Sequence, residues 1–169
     1  LEITGLDDDG ISSHLPMGFS FQYYWRIEDH IRIGANGWLS FEPGPSSNSW
    51  CFQTLPQALP GTTNSTIAPF LSDLTFGTSY PSFPNIGELW VWSNQQDSLV
   101  VSYINVPWWR FDSTGASPPD WGGANTFQVI LSGRDSTITY QYLLMDDSAF
   151  VDRPQCSSEI VIGIENATG

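Results

Sequence analysis

The sequence predicts an all-β chain folded as a two-sheet antiparallel sandwich, jelly-roll-like, with long aromatic and proline-rich loops. Short apolar alternations of period two recur along it, Gly, Pro, Asn and Ser punctuate them, and no stretch of useful length has helical periodicity. One hairpin also declares its own register. Ile31 and Ile33 precede Asn36-Gly37, and Leu39 and Phe41 follow. A two-residue loop would pair Ile33 with Ser40 and set the two apolar pairs on opposite faces. A three-residue loop, Ala35-Asn36-Gly37, pairs Ile33 with Leu39 and Ile31 with Phe41, so all four point inward, with Gly37 in the left-handed region as a bulge.

The elements follow in order. The run Gly18-Phe-Ser-Phe-Gln-Tyr-Tyr-Trp25 places Phe19, Phe21, Tyr23 and Trp25 on one face of a strand over 17–25. Strands at 29–35 and 38–42 form the hairpin just described, and another covers 67–75. Glu88-Leu-Trp-Val-Trp92 and Leu99-Val-Val-Ser-Tyr103 make a hairpin around Ser93–Ser98, with strands near 87–93 and 98–104. There Trp90 and Trp92 alternate with Leu89 and Val91, so one pair faces in and the other out. A further hairpin joins 125–132 to 136–144 through Gly133-Arg-Asp-Ser, with Phe127, Val129 and Leu131 alternating on the first arm and Ile138, Tyr140, Tyr142 and Leu144 on the second. A last strand lies near 158–165. The Pro-rich stretches 43–66, 76–86, 105–124 and 145–157 read as loops. There is no internal repeat and no linker, so residues 1–169 are expected to form one domain.

Composition narrows the partners. Five Arg and no Lys stand against 18 acidic residues, a formal charge of −13. Phosphate-rich surfaces would be repelled, which disfavours nucleic acid and anionic membranes. No apolar run reaches the length of about 18 residues that spans a bilayer. The chain opens without Met or a signal-like segment and reads as a fragment of a larger extracellular protein. Cys51 and Cys156 stand far apart in loop-like surroundings, not in a Cys-x-x-Cys pair, which favours one disulfide in an exported protein over a metal site. Two sequons, Asn64-Ser-Thr66 and Asn166-Ala-Thr168, fall in loop-like positions.

The ordered segments Gly18-Phe-Ser-Phe, Ala35-Asn-Gly-Trp-Leu-Ser-Phe41, Ile67-Ala-Pro-Phe-Leu-Ser-Asp-Leu74, Asn125-Thr-Phe-Gln-Val-Ile-Leu131, Ile138-x-Tyr-Gln-Tyr142 and Ile162-Gly-Ile-Glu165 resemble a nidogen-type (NIDO-like) extracellular domain. Related versions occur in secreted and surface-attached bacterial proteins. The resemblance runs from about 18 to 165. It implies a secreted or cell-surface accessory or adhesive β-module, and it implies no catalytic residues. The family pattern has a shorter connection where this chain runs from Pro107 to Ala124.

That insertion is the first candidate site. Trp108, Trp109, Phe111 and Trp121 sit among Arg110, Asp112 and Asp120, which offers flat apolar rings for sugar faces and polar groups for hydroxyls. Protein interfaces concentrate the same residue types. The other reading folds these rings over a sandwich edge or into the core, since large aromatics are highly buried on average. Asp7, Asp8 and Asp9 before Gly10 are candidate calcium ligands, with Asp146, Asp147 and Asp152 as a second acidic group. Neither matches a complete calcium loop, and consecutive acids also form solvated turns. Asp73, in an apolar strand, reads as a buried structural acceptor.

His14 and His30 are the only histidines, and no nucleophile-elbow or zinc spacing accompanies them. The chain is therefore read as no enzyme, with no cofactor beyond possible calcium. Three classes remain: a module binding a glycan or cell-surface protein through the aromatic loop, a spacer packing against neighbouring domains of its parent chain, and a secreted enzyme. The first is the expectation carried forward.

Overall fold

The computed structural model describes residues 1–42, 64–77, 87–110, 120–146 and 160–167, with backbone alone at 110 and 120–122. Among these residues there is no helix. The strands are β1 (Glu2–Ile3), β2 (Leu15–Tyr23), β3 (Arg26–Gly34), β4 (Trp38–Ser40), β5 (Thr66–Leu71), β6 (Glu88–Ser93), β7 (Ser98–Arg110), β8 (Asp120–Ser132), β9 (Thr137–Leu144) and β10 (Val161–Glu165). They form two five-stranded antiparallel sheets in the orders β1-β6-β7-β8-β9 and β10-β5-β4-β3-β2. Each sheet is a four-stranded meander extended by one strand from the far end of the chain. That is a simpler order than the Greek keys of a jelly roll.

Period-two alternation builds the core between the sheets. Phe21 and Tyr23 of β2, Ile31 and Ile33 of β3, Leu39 of β4, Leu99, Val101 and Tyr103 of β7, and Phe127, Val129 and Leu131 of β8 are all buried in one cluster. The hairpin register is the one expected: Ile33 pairs with Leu39 and Gly34 with Trp38, leaving Ala35-Asn36-Gly37 as the turn. Gly37 has φ of 73° and lies against β5, where an added Cβ would stand 2.0 Å from the Phe70 carbonyl oxygen. The two hairpins expected in the other sheet also form, β6 with β7 pairing Leu89 with Tyr103 and β8 with β9 pairing Val129 with Tyr140.

Tyrosine hydroxyls tie the layers together. Tyr103 Oη donates to the carbonyls of Gly34 (2.8 Å) and Trp38 (3.4 Å) in the opposite sheet. Tyr140 Oη reaches the Gly163 carbonyl and Tyr142 Oη that of Pro69. The Tyr103 ring is buried, Tyr140 is partly so and Tyr142 lies at the margin, and each polar tip finds a backbone acceptor across the sandwich.

Three expectations are corrected. The β2 strand stops at Tyr23, because Tyr24 takes a left-handed backbone (φ 52°), and Trp25 sits in the turn at 62% exposed rather than on the inward face. The stretch 105–124 is not all loop: β7 runs to Arg110 and β8 starts at Asp120. The short β1 strand, pairing Glu2 with Trp90 and Ile3 with Leu89, was too brief for a periodicity to reveal. Cys51 and Cys156, and with them the expected disulfide, lie outside the described residues.

Substituting Gly37→Ala forces a left-handed alanine against a backbone oxygen. A loss of more than about 2 kcal/mol in urea unfolding is expected, because the conformation alone costs roughly 1–2 kcal/mol. An unchanged unfolding midpoint would contradict this turn.

Candidate binding surface

The outward face of the β1-β6-β7-β8-β9 sheet gathers an uncommon set of side chains. Since Leu89 faces the core, Trp90 and Trp92 face out, and they are 41% and 58% exposed. Register then places their neighbours in two rows across the strands. One row runs Glu2, Trp90, Ser102, Gln128, Gln141. The next runs Trp92, Val100, Ile130, Thr139. The polar end of the first row is hydrogen-bonded: Ser102 Oγ donates to Gln128 Oε1 at 3.2 Å, and Gln128 Nε2 donates to Gln141 Oε1. Trp90 is oriented by its own strand, its Nε1–H donating to Glu88 Oε2 at 2.8 Å. An indole platform therefore heads a fixed line of hydroxyl and amide groups, beside an apolar row.

The insertion that looked like a sugar platform is built differently. Trp108 is 2% exposed, so it is a core residue and not an exposed contact ring. Its ring packs at 5.2 Å from Phe70, its Nε1–H donates to the Asp146 carbonyl, and its backbone bridges Leu74. The cause lies at Asn105, whose φ of 53° and accompanying bulge shift the strand by one residue. Upstream, odd positions such as Val101 and Tyr103 face the core. Downstream the even positions Val106 and Trp108 do. Trp109 is left half-buried, its N–H donating to the Asp73 carbonyl. Arg110 and Trp121 are described in backbone only, paired in register with Asp120 and Trp109, and Asp112 lies outside the described residues.

The acidic turn after β1 forms a second cluster. Asp8 and Asp9 meet Asp73, with one carboxylate oxygen from each within 4.8 Å of the others; Asp7 is not in this group. The sequence could not connect Asp73 to the turn, because the link runs through Asn36. Asn36 Nδ2 donates to Asp9 Oδ1, and Asn36 Oδ1 accepts the N–H of Leu74, next to Asp73. Burial, then the charges of Asp9, Asp73 and Asp7, push the Asp8 carboxyl up to about 7, against a hydrogen bond from Thr75. Burial also raises Asp9, opposed by its bond from Asn36. These oxygens could hold a cation such as calcium, although three carboxylates fall short of the six to eight ligands calcium takes. Asp147 and Asp152 of the other acidic group lie outside the described residues.

His14 and His30 stack with ring centroids 5.9 Å apart, and His30 Nδ1 lies 2.7 Å from Asp29 Oδ1. Neither belongs to the aromatic face.

Fold and surface together define a two-sheet β-sandwich domain with an aromatic, amide-lined sheet face. A family model described as NIDO related matches residues 1–169, and the chain belongs to that family. No curated protein and no solved structure matches it.

Two outcomes are expected from substitution. Trp108→Ala should cost about 3–5 kcal/mol in denaturant unfolding, as large aromatic deletions in a core do; a neutral effect would return the ring to the surface. For Asp8, the folded state holds a proton that the unfolded chain releases between about pH 4 and 7, so its contribution to stability falls as pH rises through that window. Asp8→Asn should therefore raise the melting temperature at pH 7 in chelator-containing buffer, change little at pH 4, and flatten the slope between. A larger stabilisation at pH 4 than at pH 7 would reverse the sign and refute the assignment.

Proposed function

We propose that this domain is a non-catalytic extracellular binding module that contacts a glycan or a surface protein through the outward face of the β1-β6-β7-β8-β9 sheet. One observation carries the reading: Trp90 and Trp92 both face water on the same strand, beside Val100 and Ile130. Exposed aromatic rings gathered on one face beside half-buried aliphatic groups, and rimmed by polar groups, mark interaction sites, whereas apolar residues scattered singly over a surface need no explanation. NIDO-related domains are typically extracellular, which gives the setting. The charge of −13 argues against nucleic acid and anionic lipid as the partner. A binding role for this face is also supported by where titratable groups cluster among the described residues, since neither Asp8 with Asp9 and Asp73 nor His14 with His30 belongs to it.

The test is a paired substitution, Trp90→Ala/Trp92→Ala, assayed on arrays of glycans and of surface proteins. Because both rings point outward, the melting temperature should move little. Binding should fall at least tenfold. Retained binding by a folded double variant would remove this face from the function. If the purified domain instead binds only the neighbouring domains of its parent chain, and does so through the same tryptophans, the spacer reading takes its place.

A further inference from the structure

Resting on that reading, we propose that the occupant of the aromatic face is a neutral oligosaccharide laid across the strands, with Trp90 under a sugar ring and the Ser102–Gln128–Gln141 row reading its hydroxyls. The chemistry of the row is the argument. A glutamine side chain offers an oxygen with two lone pairs and a nitrogen with two N–H groups. Within the row Gln128 uses one acceptor site for Ser102 and one donor for Gln141, and Gln141 uses one acceptor site for Gln128. The remaining lone pairs and N–H groups, on side chains already held in place, form a linear set of mixed donors and acceptors. Sugar hydroxyls are donors and acceptors at once, so they can satisfy both.

A protein partner fits this row less well. Burying a line of amides beneath an apolar side chain would strand their unused groups at the cost of desolvation. A pyranose resolves the conflict because its C–H face suits an indole and its equatorial hydroxyls lie at its edge, beside the row. The neighbouring row of Trp92, Val100, Ile130 and Thr139 is apolar as far as Ile130 and lies along the amide row, so a chain of sugars would meet an apolar strip on one side and the amides on the other. From β6 to β9 is three strand spacings of about 4.8 Å, roughly 14 Å, which suits an extended oligosaccharide better than a single sugar.

Charge sets the class of sugar. Neither row contains a cation, Glu2 and Glu88 flank Trp90, and the chain carries a charge of −13. Sulfated, uronic or sialylated chains would be repelled from such a surface. A neutral ligand would bind with little dependence on salt.

The experiment is an array of neutral and anionic glycans probed with the intact chain, with Gln128→Leu/Gln141→Leu and with Trp90→Ala/Trp92→Ala. An array of surface proteins stripped of glycans is run in parallel, and every variant is checked by thermal melting. The expected result is binding to a subset of neutral oligosaccharides, insensitive to salt, weakened at least tenfold by the glutamine pair and abolished by the tryptophan pair. Neutral-glycan binding that survives the glutamine pair overturns the proposal, as does binding restricted to anionic glycans. Tryptophan-dependent binding to stripped proteins with no glycan signal also overturns it, while leaving the face as the contact surface. Absence of tryptophan-dependent binding on both arrays overturns the proposal and the broader reading together.

Discussion

The turn Ala35-Asn36-Gly37 is the point on which both sheets depend. Its backbone and side chain serve five partners at once. Gly37 accepts the N–H of Phe70 and Asn36 accepts those of Ser72 and Leu74, so the end of β5 is laid along the turn. Asn36 Nδ2 holds Asp9, and the Ala35 N–H holds the Gly10 carbonyl, which fastens the segment after β1. Tyr103 bonds the carbonyls on either side of the turn from across the core. Asn36 is 2% exposed, so its amide must find these partners inside the protein. Once Leu74 is placed, it bridges Trp108, and the far end of β7 is located in turn. A three-residue loop thereby sets the relation between the N-terminal segment, β5 and the long β7–β8 hairpin.

Much of this was legible in the chain, for a physical reason. Wherever one face of a strand is buried, slipping by one residue would turn the whole apolar set outward, so the pattern itself selects the register. That logic recovers the Ile33–Leu39 pair, both hairpins of the first sheet and the inward set Phe127, Val129 and Leu131. It fails where alternation is interrupted by backbone geometry. At Asn105 a left-handed residue and a bulge exchange the inward and outward positions, so Trp108 goes to the core from a stretch of Pro, Trp and Gly that resembles a loop. Tyr24 does the same at the end of β2 and turns Trp25 out. Asparagine and tyrosine in that conformation carry a cost that only the assembled sheet offsets, which period-two reading cannot register.

The acidic cluster was half legible for a similar reason. Asp8 and Asp9 are adjacent in sequence and needed no fold to be noticed. Asp73 joins them only because Asn36 and Leu74 bring the end of β5 to the same place. Burial first, and then the charges of Asp9, Asp73 and Asp7, disfavour a charged Asp8, so its carboxyl is raised to about 7. A cation placed among the same oxygens would relieve the repulsion by the opposite route, by favouring the charged forms.

The proposed binding surface follows from where the chain places its tryptophans. Trp38 and Trp108 are buried, and each also occupies a structural position: Trp38 covers Gly34, where an added Cβ would collide with the indole, and Trp108 sits against Phe70. Trp90 and Trp92 have no such role, because the inner face of β6 is already filled by Leu89 and Val91. Packing therefore does not explain them. A strand that needed only to be soluble would carry Thr or Ser at those places, as β9 does at Thr137 and Thr139 on the same outward face. The outward rows combine rings that the core does not use with amides already bonded to one another, and a partner offering both an apolar face and hydroxyl groups is the one for which neither feature is a liability.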